Sequence, residues 1–214
     1  MLSIQKFVLG PVATNTYLIA DTDTGEADAR DAVVIDPGGE GHLIVKAAEK
    51  RGWKIRQIWL THSHFDHIGG VAEIVSDSGG VVVGLHPDDL PLWKHKGGAS
   101  FFGMDVDPGP KPTLKFQHGQ SLSVGSYKFE VRHAPGHTPG HVIFYCQAAG
   151  TLFSGDVILQ GSIGRTDLPG GDYATLMKSI NEQVLSLPDD VRILPGHMGE
   201  TTVGAERRGN VFLG

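Results

Sequence analysis

Residues 58–70, Ile58-Trp59-Leu60-Thr61-His62-Ser63-His64-Phe65-Asp66-His67-Ile68-Gly69-Gly70, bring four metal-capable side chains, His62, His64, Asp66 and His67, within six positions. An apolar run that reads as a buried strand precedes them, and an apolar helical pattern follows. Neutral imidazole and carboxylate are borderline-hard ligands that suit zinc, iron or manganese, and a loop at a strand end can bend so that alternate side chains converge. The stretch therefore reads as a metal-binding loop. A surface loop that happens to be histidine-rich is the poorer reading, because the missing ligand types recur at other strand-to-loop junctions.

Three such junctions lie downstream. His137 stands in Ala134-Pro135-Gly136-His137-Thr138-Pro139-Gly140-His141, a Pro/Gly-fixed loop after a strand predicted for Tyr127 to His133. Asp156 comes straight off the apolar strand Thr151 to Ser154, with Gly155 before it to permit close approach. His197 follows strand Val191 to Leu194 in Pro195-Gly196-His197.

Working outward, Ser3 to Leu9 and Thr16 to Ala20 have strand-like composition with a Gly10-Pro11 turn between them. Acidic DTDTGEADARD, residues 21–31, reads as an exposed hairpin loop. The apolar run Ala32 to Ile35 ends at a sharp turn, Asp36-Pro37-Gly38-Gly39. Leu43, Ile44, Ala47 and Ala48 recur at helical spacing and predict an amphipathic helix over residues 40–51, facing a sheet. Strand Ile55 to Leu60 delivers the metal loop, and a helix is predicted from near His67 to about Ser76, with strand Val81 to Val83 after it. Residues 86–112 mix Pro and Gly with exposed-looking Trp93, Phe101, Phe102 and Met104. They read either as a short helix and a mobile flap over a site, or as a long connection whose aromatics pack locally. Leu122 to Val124 pairs with the strand ending at His133, and Val142 to Cys146 pairs with Thr151 to Ser154. GSIGRTDLPGGD, residues 161–172, is a glycine-rich loop without the Lys-Ser or Lys-Thr of a phosphate loop, so nucleotide binding is not supported. Helices over Tyr173 to Leu187 and roughly Val203 to Val211 complete the chain. Two strand-rich halves, each followed by helices, predict two sheets packed between outer helices, with the ligand candidates along one edge.

Composition bounds the function. The 214 residues suit one domain, 1–214, large enough to bury its own core. A hydrophobic fraction of 40% and a charged fraction of 20% are ordinary globular values, and no apolar run reaches the ~18 residues of a spanning helix. No membrane association is expected. The start, MLSIQKFVLGPVATN, lacks a basic cluster followed by a long apolar core, so no secretory signal is expected. Cys146 is the single cysteine and reads as a buried strand residue, which excludes a disulfide framework and fits a reducing cytoplasm. The net charge of −6 and the scattered 18 Lys and Arg argue against nucleic acid as a partner. Nothing in the sequence sets an oligomeric state.

THSHFDH, PGHTPGH, FSGD, GSIGRTDLPGGD and LPGH, in this order and spacing, resemble a metallo-β-lactamase-fold hydrolase of the glyoxalase II (hydroxyacylglutathione hydrolase) type, in a compact form lacking the C-terminal helical domain. The resemblance implies an α+β four-layer αββα sandwich with a metal site at one edge of the two sheets. It implies two divalent metal ions, zinc first with iron or manganese as alternatives. His62, His64 and His137 would hold one, Asp66, His67 and His197 the other, and Asp156 would bridge them. By the same resemblance a metal-bridging hydroxide would cleave S-lactoylglutathione or a similar small-molecule acyl thioester, Asp66 would also accept the proton, and Arg165 would bind substrate. Asp167 stands where the family usually carries an aromatic, which implies weak or broad thioesterase activity.

Rival readings share the fold. A persulfide dioxygenase would hold one iron on His62, His137 and Asp156, but there the PGHT motif usually continues Gly-Cys, whereas Pro139-Gly140-His141 follows here. Lactonase or β-lactamase activity ranks next, and an RNA-processing nuclease is disfavoured by the acidic charge. A non-enzymatic module with a structural metal is disfavoured by a ligand count that leaves coordination positions open. His42, His86, His95 and His118 read as surface or helix-end residues. His133 and His141, which flank the ligand loop, read as packing residues ahead of any role in orienting a ligand.

Overall fold

A computed structural model describes residues 1–24 and 30–213. The middle of the expected acidic loop, residues 25–29, lies outside the described residues. Six strands form the first sheet in the order β1 (Leu2–Leu9), β2 (Thr14–Asp21), β3 (Arg30–Ile35), β4 (Trp53–Trp59), β5 (Val82–Leu85) and β6 (Leu114–Lys115). β1, β2 and β3 pair antiparallel, whereas β3, β4, β5 and β6 run parallel. The second sheet comprises β7 (Ser121–Val124), β8 (Tyr127–His133), β9 (Val142–Cys146), β10 (Thr151–Gly155), β13 (Arg192–Pro195) and β14 (Thr201–Thr202), in the spatial order β14-β13-β10-β9-β8-β7. A small hairpin of β11 (Ile158–Leu159) and β12 (Ser162–Ile163) branches off after β10.

Period-two alternation in strands buried on both faces generates the layers. In β2, Leu18 and Ala20 face outward and pack with Ile44, Val45 and Ala48 of α1 (Gly41–Glu49) and with Val71 and Ile74. Tyr17 and Ile19 face inward, where Trp59, Phe129, Phe144 and Phe153 fill the space between the sheets. In β9 the pattern repeats: Val142, Phe144 and Cys146 point into that space, while Ile143 and Tyr145 point out onto Leu176, Ile180 and Val184. Three apolar clusters thus separate four layers, the expected αββα sandwich. Cys146 is buried, as its strand position implied.

Several local expectations are corrected. The helix predicted from His67 to Ser76 is two helices, α2 (Phe65–Ile68) and α3 (Val71–Ser78). The break lets the Gly70 N–H donate to Pro37 O at 2.8 Å, and a Cβ on Gly70 would stand only 2.9 Å from the Gly39 carbonyl oxygen. Residues 86–103 form short helical turns, including α4 (Leu90–Lys94). Trp93 is buried in the first apolar cluster, whereas Phe101 and Phe102 are exposed. Packing, not composition, separates these aromatics. The predicted helix over 173–187 is α5 (Tyr173–Ser179) continued by a π-helical turn, where the Leu185 N–H donates to Ile180 O at 2.9 Å. The last helix, α6 (Val203–Gly209), ends two residues earlier than expected, and its Thr202 hydroxyl accepts from the Ala205 N–H. No helix among the described residues is long and apolar enough to cross a membrane.

Phe129 is fully buried between the sheets and meets the Trp59 ring edge-on at 5.3 Å. Phe129→Ala is expected to cost about 3–5 kcal/mol through lost transfer energy and a residual cavity, read as a lower midpoint in chemical denaturation with a largely unchanged slope.

Candidate metal centre

Every segment of the centre leaves the carboxyl end of a strand. Asp36 follows β3 and His62 follows β4; His137 follows β8, Asp156 follows β10 and His197 follows β13. β8 and β10 both run antiparallel to β9, and β10 pairs parallel with β13, so their carboxyl ends share one edge. Open α/β sheets bind ligands at such an edge because the loops there are free to diverge while the strands fix where they start. Bonds across the sheets lock it: Tyr17 OH donates to Pro195 O at 2.7 Å, Asn15 Nδ2 to Pro195 O and Met198 O at 2.9 and 3.0 Å, and the Val142 N–H to Thr61 O at 2.8 Å.

The structure brings together all seven expected ligands. His64 Nδ1 lies 2.9 Å and His62 Nε2 3.2 Å from His137 Nε2. Ligands at about 2.0–2.1 Å around a tetrahedral zinc stand about 3.3 Å apart, so this spacing fits one shared ion. Next to them, Asp66 Oδ2 lies 3.1 Å from His197 Nε2 and 3.5 Å from His67 Nε2. Asp156 spans both groups. Its Oδ2 is 3.7 Å from His137 Nε2 and 3.5 Å from His197 Nε2, and its Oδ1 is 3.6 Å from His67 Nε2.

Two observations test whether divalent cations fit here. His67 Nε2 and Asp156 Oδ1 are buried and without a hydrogen-bond partner, a costly condition that a cation between them removes. Three carboxylates, Asp36, Asp66 and Asp156, are also buried within one cluster and need positive countercharge. The residues fit. Burial, reinforced by neighbouring imidazoles, drives His62 and His64 well below the ordinary imidazole range, and burial also lowers His137. All three therefore present the neutral lone pair that ligation requires. Burial opposes charging of His67, but the carboxylates of Asp66, Asp156 and Asp36 overcome it and raise this group to about 10. Burial would raise Asp66, yet His67 and His197 hold it well below the usual carboxylate range.

Outer partners orient the ligands. Asp36 has a left-handed backbone, φ +49°, unusual for a residue with a side chain. Its carboxylate accepts from the Thr61 N–H at 2.7 Å, the Thr61 hydroxyl at 2.6 Å and His67 Nδ1 at 3.0 Å, and the Thr61 hydroxyl in turn meets His62 Nδ1 at 3.0 Å. His137 Nδ1 donates to Arg165 O at 2.7 Å. These bonds hold the Nδ1–H of His62, His67 and His137 on outer acceptors and turn each Nε2 inward. His141 does more than pack: it stacks on His62 and its Nε2 accepts the Asp156 N–H at 3.1 Å. Asp89 is fully buried and accepts from the Ser63 N–H, the Thr138 hydroxyl and the Gly140 N–H at 2.7–2.9 Å, joining the His62–His64 loop to the His137 loop. The Thr14 hydroxyl holds Asp66 Oδ2 at 3.2 Å.

Thr61, Asp89 and Thr14 are not marked in the sequence pattern. Asp36 alone carried a signal, a strand-end aspartate placed like Asp156. Arg165 lines the cavity above the centre, but its guanidinium pairs with Asp167 through two bonds of 2.8 and 2.6 Å. That cavity, of about 370 Å³, has His64, Asp66, His137, Asp156 and His197 at its base and Phe102, Met104, Ile163, Leu168 and Met198 around its walls.

Fold and ligands together define a metal-binding αββα sandwich. The chain belongs to the metallo-beta-lactamase superfamily, whose family model matches residues 9–197. It is similar to the hydroxyacylglutathione hydrolase GloC of Haemophilus influenzae, 39% identical over 87% of this chain and 89% of the relative. Among solved structures it is similar to TTHA1623 in a di-iron-bound form, with 39% identity, TM-score 0.87, and 98% of this chain and 100% of the other covered. It is also similar to ETHE1 from Myxococcus xanthus, with 26% identity, TM-score 0.79, and 98% and 83% covered.

Asp36→Ala leaves the ligands in place but removes the groups that aim His67 and Thr61. Metal affinity is expected to fall about 10–100-fold, measured by competition with a chromogenic chelator, while the far-ultraviolet circular dichroism is retained.

Proposed function

We propose that the protein is a dinuclear metal-dependent hydrolase of the glyoxalase II type, cleaving S-lactoylglutathione or a similar acyl thioester to a carboxylic acid and a thiol. The observation that carries this reading is the placement of Asp156 between two complete triads, one oxygen toward His137 and His197 and the other toward His67. His62, His64 and His137 would hold one ion, Asp66, His67 and His197 the second, and Asp156 both. Zinc, iron and manganese all suit such ligands, and the likeness to a di-iron-bound structure supports iron alongside zinc. When bound, two divalent ions supply a water acidic enough to attack at neutral pH and a Lewis acid for the carbonyl oxygen.

The chain's own groups perform the rest. Thr14, His67 and His197 all approach the Oδ2 atom of Asp66, so Oδ1 is the oxygen that would serve as proton acceptor. The Arg165 carbonyl fixes His137, while the Arg165 guanidinium lines the cavity already paired with Asp167. Apolar walls exclude bulk water from the reacting carbonyl. The likeness to GloC supports a hydroxyacyl thioester as substrate.

A second reading, persulfide dioxygenation at one iron held by His62, His137 and Asp156, draws on the likenesses to ETHE1 and to the di-iron-bound structure. The completeness of the second triad favours hydrolysis.

His64→Ala and Asp156→Ala are each expected to remove bound metal, by elemental analysis, and to lower S-lactoylglutathione turnover by several orders of magnitude. Full turnover by either variant in metal-free buffer overturns the assignment. One iron per chain with oxygen uptake on glutathione persulfide transfers it to the second reading.

A further inference from the structure

The cavity over the metal centre shares walls with its neighbours. Phe102, Leu168 and His64 also line a narrow passage whose other walls are Leu92, Phe101 and Pro169. Those last three also border a second cavity of about 440 Å³ that reaches Pro91 and Pro139. The passage itself holds only about 20 Å³, so the cavity over the centre is the apolar groove open to an acyl arm, and its volume of about 370 Å³ is far larger than a lactoyl group requires. Its rim exposes apolar side chains that a soluble surface ordinarily hides: Phe101 is 69%, Met198 57% and Phe102 43% exposed. The wall is fixed to the centre itself. Gly97 at φ +65° lies so close to α2 that a Cβ there would stand 2.2 Å from Phe65 N, and the Phe65 and Phe102 rings are 5.3 Å apart.

Charge decides which part of a thioester enters. Glutathione and coenzyme A carry carboxylates or phosphates. Among the described residues lining the groove, Arg165 is the one Lys or Arg, and both its Nε and Nη2 are engaged by Asp167. An anionic carrier is thereby kept at the solvent-facing mouth, and the arm that fits the groove is uncharged.

Resting on the thioesterase reading, we propose that this groove seats the apolar acyl arm of the substrate, so that the protein prefers acyl thioesters of medium chain length over S-lactoylglutathione. Phe102 and Leu168 set that preference, and Asp167 withholds Arg165 from the carrier's carboxylates.

The test uses the metal-loaded full chain and glutathione thioesters bearing lactoyl, butanoyl, hexanoyl and octanoyl groups, with S-alkyl glutathione thioethers of matching length as non-hydrolysable ligands for calorimetry. kcat/KM and thioether affinity are expected to rise together, by up to about fourfold per buried methylene. Leu168→Asp is expected to flatten both slopes, with Phe102→Ser serving if the first variant fails to fold. Asp167→Ala is expected to tighten binding of the shortest thioether about threefold and leave the slope unchanged. Fastest cleavage of S-lactoylglutathione, with a flat or falling chain-length series, overturns this inference and leaves the hydrolase reading standing. Cleavage of no thioester overturns both.

Discussion

Burying Asp36, Asp66 and Asp156 together is unfavourable unless each carboxylate is paired, and much of the surrounding architecture supplies those partners. Asp36 spends its oxygens on Thr61 and His67. Asp66 takes Thr14 and His197. Asp156 keeps a buried oxygen unpaired opposite an equally unpaired His67 Nε2. That residual demand is what suits the cluster to a cation, because His67 Nε2 and the oxygens of Asp66 and Asp156 face a shared space where a divalent ion would take the place of the imidazolium proton.

Pairing of this kind needs side chains from five separated segments held within a few tenths of an ångström. Strand carboxyl ends meet the requirement. β4 with β3 and β10 with β13 run parallel as immediate neighbours, so their outgoing loops begin side by side, while Tyr17 and Asn15 bind the turn at Pro195 from the opposite sheet. Close packing finishes the job. A Cβ on Gly196 would sit 2.2 Å from Asp156 Oδ1, and Gly155, at φ +47°, turns the chain directly beneath Thr61. Asp89 then ties the two histidine loops to the segment that carries Phe102 and Met104, which links the geometry of the centre to the shape of the cavity above it.

Sequence and structure part company where contacts are long-range. The layered sandwich was legible because strands buried on both faces read as unbroken apolar runs, and the ligands were legible because His and Asp recur immediately after those runs. Boundaries inside helices were less so: nothing local announces that Gly69 and Gly70 interrupt one helix to press against the turn at Pro37, or that Trp93 is buried while Phe101 is exposed. Arg165 has the composition of a substrate contact, yet its guanidinium is already occupied by Asp167, a pairing that only loop geometry creates.

The sequence by itself determined the layered architecture and marked seven candidate ligands, because layering follows from strand periodicity and the candidates from residue type at strand ends, which are local properties. Tertiary structure alone decided that Asp36, Thr61, Asp89 and His141 orient those residues and that apolar side chains wall the cavity above them. Such roles depend on which atoms meet across 15 to 51 residues of chain, as in His141 with Asp156 and Asp89 with Gly140, and a hydrogen bond over that distance exists only once both sheets have packed.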